Sequence, residues 1–263
     1  MAEEKITFSF GKNWEEFIRR NFSEERIEQS QRHLLDFFEF PDLRGKYFLD
    51  IGCGSGLHSL AACRAGADRV VSFDVDRDSV KTTEKVREVH GASYNWKVLY
   101  GSILDQEFTR ALEPSDIVYS WGVLHHTGNM WKAIENTAGL IKDDGLLYIA
   151  LYTTGAKSPY WLEVKKRYNR SSASGKRLME WWFIIRRTFI PQCVRLKNPL
   201  APIRQSRQRG MSFYTDVKDW MGGYPYEYAK PEEVIRFCRK KLGLELINLT
   251  TGEENTEYLF RKK

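Results

Sequence analysis

A glycine-rich segment near residue 50 carries the strongest chemical signal in the sequence. Asp50 is followed by Gly52, Gly54 and Gly56, and a second carboxylate, Asp74, lies about 20 residues further along the chain. Glycines permit a tight turn and let a ligand lie against bare backbone, and a carboxylate at that distance is placed to bind a ribose diol. The spacing therefore predicts a site for a cofactor that contains a nucleoside.

The same segment distinguishes between two kinds of nucleoside cofactor. Leu57 follows Gly56, so the GxGxxG pattern of dinucleotide sites is not met. Asp50 beside the loop would repel a pyrophosphate, and it suits a ligand that bears a cationic amino group and a sulfonium. Two alternatives stay open: the glycines form a turn without a ligand, and Asp74 caps the next helix, although Asp76 is better placed for that cap.

Two adjacent histidines follow a second apolar run. His125 and His126 come just after residues 116–120, which predict the fourth strand of a sheet. Open α/β sheets bind ligands at the carboxyl ends of their strands, and histidine titrates near neutral pH. Either ring is therefore a candidate base toward an acceptor hydroxyl or ammonium. The alternative is that both rings only satisfy loop backbone or stack on the cofactor.

Residues 216–227 mix carboxylates, glycines and aromatic side chains, which predicts a structured loop rather than an amphipathic helix or a strand. Aromatic walls with a few charged groups suit a small polar acceptor. The groups that would form such a pocket are Arg209, Asp219, Tyr224, Tyr226 and Glu227. The alternative is that the two carboxylates hydrogen-bond backbone in a tight turn.

Composition narrows the classes of protein. The 263 residues are 42% hydrophobic and 29% charged, enough for one globular domain with an elaboration or for two small ones. The formal net charge of +6 is uneven, because residues 157–209 hold 14 basic and 2 acidic residues, a net +12 that leaves −6 for the rest. Such a block attracts phosphates, a membrane surface or an anionic substrate, or it is a solvated helical face.

Other features exclude some classes. The four cysteines are scattered, without a CxxC pair or a histidine at ligand spacing, so we expect neither a disulfide framework nor a metal site. Uncharged stretches are shorter than the ~20 apolar residues that span a bilayer, and the acidic amino terminus lacks the apolar region of a signal peptide. We therefore expect a cytoplasmic protein without a transmembrane helix.

From Lys46 onward, short apolar runs alternate with amphipathic segments, which predicts βαβ units and a parallel sheet covered on both faces. The predicted strands are 47–51, 69–73, 96–100, 116–120, 146–151, 244–250 and 256–261. The predicted helices are 57–65, 79–89, 107–112, 130–141 and 231–241, with two more before Pro41. The alternation is interrupted between Tyr152 and Tyr228, which indicates an insertion.

Taken together, these motifs resemble a known family. Residues 48–76 resemble the first two motifs of the class I methyltransferases that depend on S-adenosyl-L-methionine (SAM), and residues 101–105 resemble the loop after their third strand. Residues 116–126 are similar to the fourth-strand motif of small-molecule methyltransferases of the quinone-biosynthesis type. The RGM and DWxGGYPxE sequences within residues 209–227 resemble a subgroup whose substrates are poorly defined.

The resemblance implies a fold and a set of site residues. The fold would be Rossmann-like and doubly wound, with a mostly parallel sheet, an antiparallel last strand and a helical insertion after the fifth strand. The residues that would bind SAM are Asp50, Gly52, Cys53, Gly54, Gly56, Asp74, Val75, Ser102, Ile103, Ser120 and Trp121. Ser102 and Ile103 would lie against the adenine. His126 is favoured over His125 as the base, because family members with a single histidine here usually carry it at that position.

We therefore expect three parts: a helical lid over residues 1–40, a SAM-binding core of residues 41–156 and 229–263, and a basic, aromatic cap over residues 157–228 that binds the acceptor. Within the lid, residues 8–14 resemble a segment that folds over the cofactor. The predicted function is methyl transfer from SAM to a small molecule, with oxygen favoured, which leaves S-adenosyl-L-homocysteine (SAH). The alternatives are an RNA methyltransferase, an NAD(P)-dependent oxidoreductase and a scaffold without catalysis.

Overall fold

The computed structural model describes residues 22–190, 213–252 and 255–263, and in these ranges seven strands form one sheet. The strands are β1 (Tyr47–Ile51), β2 (Arg69–Asp74), β3 (Trp96–Tyr100), β4 (Ser115–Trp121), β5 (Ile141–Tyr152), β6 (Leu244–Thr251) and β7 (Asn255–Lys262). Their order is β3-β2-β1-β4-β5-β7-β6, and β1 to β5 are parallel. Strand β7 runs antiparallel to β5 and β6, so the predicted mixed sheet is confirmed.

Helices connect the strands. The α-helices of the described residues are α1 (Glu24–Phe38), α2 (Leu57–Arg64), α3 (Arg77–His90), α4 (Gln106–Arg110), α5 (Met130–Ala138), α6 (Ser158–Arg170), α7 (Ala173–Ile184), α8 (Phe213–Gly222) and α9 (Pro231–Leu242). A 3₁₀ turn at Leu124–His126 precedes α5, and a π-helical segment at Ile185–Phe189 follows α7. None of the helices in the described ranges is long and apolar enough to cross a bilayer.

Alternating side chains place apolar residues on both faces of the sheet. Phe48 in β1 joins a cluster with residues of α1, α2 and α3, such as Leu34 and Leu60. Its neighbour Leu49 points the other way and joins a cluster with α5 and α9, to which Ile134 and Val234 belong. All five residues of β1 are buried, as expected for a parallel strand covered on both faces.

The parallel strands bring separate loops to one edge of the sheet. The loops after β1, β2, β4 and β5 all leave from carboxyl ends, because β1 to β5 point in the same direction. These are the loops that follow Ile51, Asp74, Trp121 and Tyr152. In open α/β sheets this edge holds the ligand.

Two element boundaries differ from the predictions by three residues or more. The helix expected over residues 130–141 ends at Ala138, and β5 begins at Ile141 instead of Leu146. Ile141 pairs with Ser115 on β4, with a register shift before the next pair. Pairing with β4 thus extends β5 over residues 141–145, which the sequence pattern did not assign to a strand.

The segment after β5 is helical where it is described. Helices α6, α7 and α8 lie between β5 and α9. The prediction of a structured loop over residues 216–227 is wrong as far as Gly222, because residues 213–222 form α8. Val217 and Met221 are four residues apart and both buried against Tyr168, which gives this helix its apolar face. The division into lid, core and cap stays a prediction, and Arg209 and residues 1–21 lie outside the described residues.

Candidate active site

The glycine loop begins directly at the end of β1. Gly52, Gly54 and Gly56 have φ angles of 76°, 53° and 76°, a left-handed conformation that L side chains rarely adopt. The backbone N–H groups of Gly52 and Cys53 both donate to the carbonyl of Phe73 on β2, at 2.8 and 3.1 Å. The loop is therefore attached to the neighbouring strand.

Close packing explains why two of these positions need glycine. A Cβ atom on Gly52 would lie 2.5 Å from the methyl carbons of Val123, and one on Gly56 would lie 2.9 Å from a methyl carbon of Thr83. The Thr83 hydroxyl lies within hydrogen-bonding distance of the Cys53 sulfur, at 3.3 Å, and Cys53 itself is buried. Burial raises the pKa of that thiol well above its ordinary value, so it fills space within the loop as a neutral group.

Asp74 links the glycine loop to the end of β2. Its Oδ2 accepts a hydrogen bond from the Gly54 N–H at 3.0 Å, and its Oδ1 accepts one from the Asp76 N–H at 2.8 Å. Burial raises the pKa of Asp74 to about 6. Each carboxylate oxygen accepts more than one hydrogen bond, so capacity for a diol remains. The capping of α3 is done by Asp76, which accepts from the Asp78 N–H, as the sequence analysis favoured.

Asp50 lies beneath the loop rather than on its surface. Its carboxylate is buried and accepts a hydrogen bond from the Ser59 hydroxyl at 2.5 Å, and that hydroxyl is 2.6 Å from the Ser72 hydroxyl. The Trp96 indole N–H donates to Ser72 at 2.7 Å. Burial, together with the charge of Asp74, raises the pKa of Asp50 to about 7. No spacing in the sequence indicated this chain of hydrogen bonds.

The other predicted cofactor residues divide by exposure. Val75 and Trp121 are exposed beside the strand ends, and Ser102 is half-buried in the loop after β3. Ile103 and Ser120 are buried, and the Ser120 hydroxyl donates to a carbonyl at the end of β1. The first three side chains are therefore accessible to a ligand, and the last two are enclosed by the protein.

A cluster that the sequence did not indicate orients Trp121. Its indole N–H is 3.3 Å from the carboxylate of Glu257 on β7, which also accepts a hydrogen bond from the Tyr148 hydroxyl. His33 on α1 lies 2.9 Å from that hydroxyl and 3.3 Å from Glu257. The hydrogen bond to Glu257 raises the pKa of His33. Burial alone would raise the pKa of Glu257, but the hydrogen bonds that its carboxylate accepts outweigh burial and lower it.

The two histidines have different surroundings. His126 Nδ1 is 2.5 Å from the carbonyl oxygen of Pro225, and because a carbonyl only accepts, Nδ1 carries the hydrogen and Nε2 the lone pair of the neutral ring. Burial lowers the pKa of His126 to about 4. His125 is more deeply buried, its ring centroid is 4.0 Å from that of Tyr152, and burial lowers its pKa well below its ordinary value.

Glu227 joins the candidate acceptor segment to the turn after β4 and to the start of α5. Its backbone N–H donates to the carbonyl of His125 at 3.0 Å, and both carboxylate oxygens accept from the Met130 N–H, at 3.0 and 3.2 Å, where α5 begins. A carboxylate at a helix N-terminus is favourable for that helix. This contact supports the alternative reading, backbone hydrogen bonding in a turn. Substrate binding by Glu227 stays a prediction.

The chain returns to the sheet at the same edge. Ala229 forms a parallel bridge with Thr153, and its N–H donates to the carbonyl of Tyr152 at 3.2 Å. Residues 225–229 therefore run beside the carboxyl ends of β4 and β5. This is the position from which an acceptor-binding segment reaches the cofactor loops.

Aromatic side chains enclose the histidines on the side of α6 and α8. The ring centroid of Tyr152 lies 5.4 Å from that of His126, 6.1 Å from that of Trp220 and 5.2 Å from that of Tyr226. Tyr226 is buried and Tyr224 is half-buried, so only one of the two predicted tyrosines faces inward. Asp219 lies in α8.

A buried lysine completes this enclosure. Lys165 on α6 has no exposed surface, and its ammonium donates to the carbonyl of Trp220. Its Nζ lies 4.7 Å from the ring centroid of Trp220 and 4.9 Å from that of Tyr226. Its charge also contributes to the lowered pKa values of His125 and His126, after the larger effect of burial. In the sequence, Lys165 is only one of the 14 basic residues of residues 157–209, and no pattern marks it as buried.

Comparison with known proteins identifies a family for this chain and several proteins of similar sequence. A family model described as "Methyltransferase domain" matches residues 22–210. The ubiquinone biosynthesis O-methyltransferase of Parvibaculum lavamentivorans is 30% identical over 129 residues, 49% of this chain and 48% of that protein. The tRNA U34 carboxymethyltransferase of Aeromonas salmonicida is 34% identical over 107 residues, 41% of this chain and 32% of that protein. The chain thus spans about half or less of the length of these curated relatives.

Solved methyltransferase structures have a fold similar to that of this chain. The magnesium protoporphyrin IX methyltransferase from Synechocystis PCC 6803, with bound SAH, superposes with a TM-score of 0.55. The match covers 96% of this chain and 94% of that one at 15% identity. At that identity the similarity concerns the fold alone.

Proposed function

Because the chain belongs to the methyltransferase domain family, whose model matches most of its length, we propose that it transfers a methyl group from SAM to an oxygen atom of a small-molecule acceptor. The observation that carries the proposal is the joining of the glycine loop to Asp74 at the carboxyl edge of the sheet. At this edge the aromatic enclosure of His126 lies beside the loop after β4.

The residues at the glycine loop fit SAM. The glycines in the left-handed conformation leave bare backbone for the ligand, and Asp74 offers carboxylate oxygens to its ribose. The exposed side chains of Val75 and Trp121, at the ends of the flanking strands, are available for further contacts. The Asp74 carboxylate and the lack of a lysine among residues 52–56 suit a cation better than a pyrophosphate. Asp50 is buried beneath the loop with a pKa of about 7, so it contributes less negative charge to the site than the sequence suggested. When bound, SAM supplies an electrophilic methyl group on its sulfonium, with SAH as the product.

The chain itself must orient the acceptor and remove its proton. His126 is the candidate for the second task, because the bond from Nδ1 to the Pro225 carbonyl leaves the basic lone pair of the neutral ring on Nε2. Its pKa of about 4 keeps the ring unprotonated at neutral pH but makes it a weaker base than an ordinary histidine. The acceptor O–H bond breaks toward Nε2, which leaves the oxygen lone pair for the methyl group. Tyr152, Trp220 and Tyr226 exclude water and hold the acceptor in place.

RNA is the second candidate acceptor, and the basic segment favours it. Residues 157–209 carry a net charge of +12, and one relative is named for tRNA. Trp161 is half-buried and Tyr168 is buried in the cluster between α6, α7 and α8, whereas Tyr160, Trp181 and Trp182 are exposed and could stack on bases. Against RNA, the Glu227 carboxylate lies beside the histidines, where its backbone N–H donates to the carbonyl of His125, and it would repel a phosphate backbone there. Small-molecule acceptors therefore remain the preferred class.

Two measurements test this function. In calorimetric titration, SAH is expected to bind and NADH is not, and tighter binding of NADH would contradict the assignment. With SAM that carries a tritium-labelled methyl group and a cell extract divided into small molecules, RNA and protein, label is expected in the small-molecule fraction. Label in RNA that disappears on nuclease treatment would instead establish the second candidate. His126→Gln serves as the matched control, because it retains the cofactor site.

A further inference from the structure

Helix α7 displays an apolar stripe to solvent. Leu178, Trp181, Trp182 and Ile185 are 73%, 59%, 48% and 49% exposed. Their spacing is i, i+3, i+4 and i+7, so they lie on one side of α7, with Ile185 as the first residue of the π-helical segment that continues it. Single exposed apolar residues are ordinary, whereas a continuous stripe with two tryptophans marks an interaction surface.

The opposite side of α7 fixes its orientation. Glu180 and Ile184 are buried, and Glu180 accepts a hydrogen bond from the Tyr168 hydroxyl on α6 at 2.5 Å. Ile184 belongs to the apolar cluster that includes Val217 and Met221 of α8. The helix is therefore held by one face, and the stripe is the face turned away from the part of the protein that the structure describes.

Basic residues border the stripe on both sides. Arg177 precedes Leu178 and Arg186 follows Ile185, and one residue is a step of about 100° around the helix axis, so the two arginines lie on opposite flanks. The guanidinium of Arg186 lies 5.0 Å from the ring centroid of Trp182. Arginine reaches with its charged end to an anionic surface while its stem and the apolar side chains lie deeper.

We propose that this stripe, Leu178, Trp181, Trp182 and Ile185 with the flanking arginines, docks α7 in the plane of an anionic lipid membrane. An amphipathic helix with Trp and Leu on one side and basic flanks is the form that binds at the lipid headgroup boundary. The described residues 157–190 hold 9 basic and 2 acidic residues, a net charge of +7 that matches a negative membrane surface.

Membrane lipid fits this surface better than RNA or a second copy of the chain. Leu178 and Ile185 are aliphatic and cannot stack on bases. They occupy positions at which an RNA-binding surface would carry polar or charged side chains. In a symmetric dimer the same surface meets itself, which would bring the arginine flanks of both copies together and repel them. Acyl chains accept the apolar side chains, and phosphate headgroups accept the arginines.

Docking through α7 has a consequence for the acceptor, which rests on the proposed function. The buried face of α7 packs on α6 and α8, the helices that carry Lys165 and Trp220. The enclosure around His126 would then lie about one helix diameter, ~10 Å, above the membrane surface. This position suits an acceptor drawn from the lipid phase.

The test is sedimentation of the full chain with vesicles, which requires no methyl transfer. Binding is expected to phosphatidylcholine vesicles that contain phosphatidylglycerol, and to weaken with salt and without the anionic lipid. The double variant Leu178→Ser, Trp181→Ser is expected to lower the bound fraction about tenfold, since it removes the apolar side chains that enter the bilayer. The matched control is Val89→Ser, Ile247→Ser, which removes exposed apolar residues on other elements and should bind as wild type.

A second variant and two other partners keep the proposal falsifiable. Arg177→Glu leaves the apolar stripe intact and is expected to weaken binding to anionic vesicles only. Equal vesicle binding by wild type and the double variant, or no binding by wild type, would overturn the proposal. So would an RNA oligonucleotide that competes with the vesicles, or a dimer in light scattering that the double variant dissociates. SAH affinity, measured alongside, reports separately on the proposed function.

Discussion

Gly54 donates its backbone N–H to the Asp74 carboxylate, with 3.0 Å between N and Oδ2, and this bond ties the loop after β1 to the end of β2. Strands β1 and β2 are adjacent and parallel, so the bond joins the loop after one strand to the end of the other at the carboxyl edge of the sheet. A carboxylate held in this way is oriented before a ligand arrives.

Replacing Asp74 by Ala is expected to abolish most SAH binding. The variant loses two ribose hydrogen bonds to a charged acceptor, each worth roughly 1.5–3 kcal/mol, together with the bond to Gly54. Calorimetric titration measures the loss. Asp76→Ala is the control, because Asp76 caps α3 and its removal should lower stability by about 1 kcal/mol with little change in SAH affinity. Equal losses in both variants would contradict a ribose contact.

SAH affinity should depend on pH through Asp74. Burial raises the pKa of this carboxyl to about 6 in the free protein, and a ribose diol binds the ionised form. Affinity is therefore expected to be constant above pH 7 and to fall by up to about tenfold per pH unit below pH 6. Asp74→Asn should remove the part of this dependence centred near pH 6. An unchanged pH profile in that variant would exclude Asp74 as the titrating group.

Asp50→Asn is expected to stabilise the protein at alkaline pH. The pKa of Asp50 is raised to about 7 in the folded chain, so the folded state binds the proton more tightly than the unfolded state does. Its contribution is present below pH 4 and is lost as the pH rises through 7, an effect on the order of 2–4 kcal/mol. Urea unfolding at pH 5 and pH 8 measures the difference, with the exposed Glu88→Gln as control. A variant less stable than wild type at pH 8 would contradict a destabilising charge.

Replacing Glu227 by Ala should destabilise α5. The variant removes the carboxylate that accepts from the Met130 N–H, and loss of such a cap is worth about 1 kcal/mol. Glu227→Gln keeps one acceptor oxygen and should lose less. Urea unfolding compares the two variants with wild type. If Glu227→Ala unfolds at the wild-type midpoint, the contact with α5 does not contribute to stability.

His126→Gln is expected to lower methyl incorporation into the small-molecule fraction by about 10²-fold or more, because a general base is lost. SAH affinity should stay within a factor of about two, since the ring lies on the acceptor side of the loop after β4. His90→Gln, at an exposed histidine, is the matched control. Full incorporation by His126→Gln would require a different base.

The sequence alone predicted the sheet and the position of the glycine loop and Asp74 at the ends of neighbouring strands. The glycines, Asp74 and Asp76 lie within one βαβ unit, where turn, strand end and helix start follow one another along the chain, so local pattern and spacing suffice. The exception was residues 216–222, which belong to α8 where a loop was expected. There the two adjacent glycines, Gly222 and Gly223, and the interspersed charges obscure the helical pattern, and packing against α6 and α7 supports the helix.

The surroundings of the candidate base were decided by tertiary structure. His126 and Pro225 are 99 residues apart, and Met130 and Glu227 are 97 apart, yet these contacts fix the tautomer of His126 and hold the Glu227 carboxylate at the start of α5. Lys165 belongs to the basic segment by sequence, but the packing of α8 on α6 buries it between aromatic rings. Contacts between distant residues leave no periodic signal in the sequence, because each depends on how separate elements come to lie at one edge of the sheet.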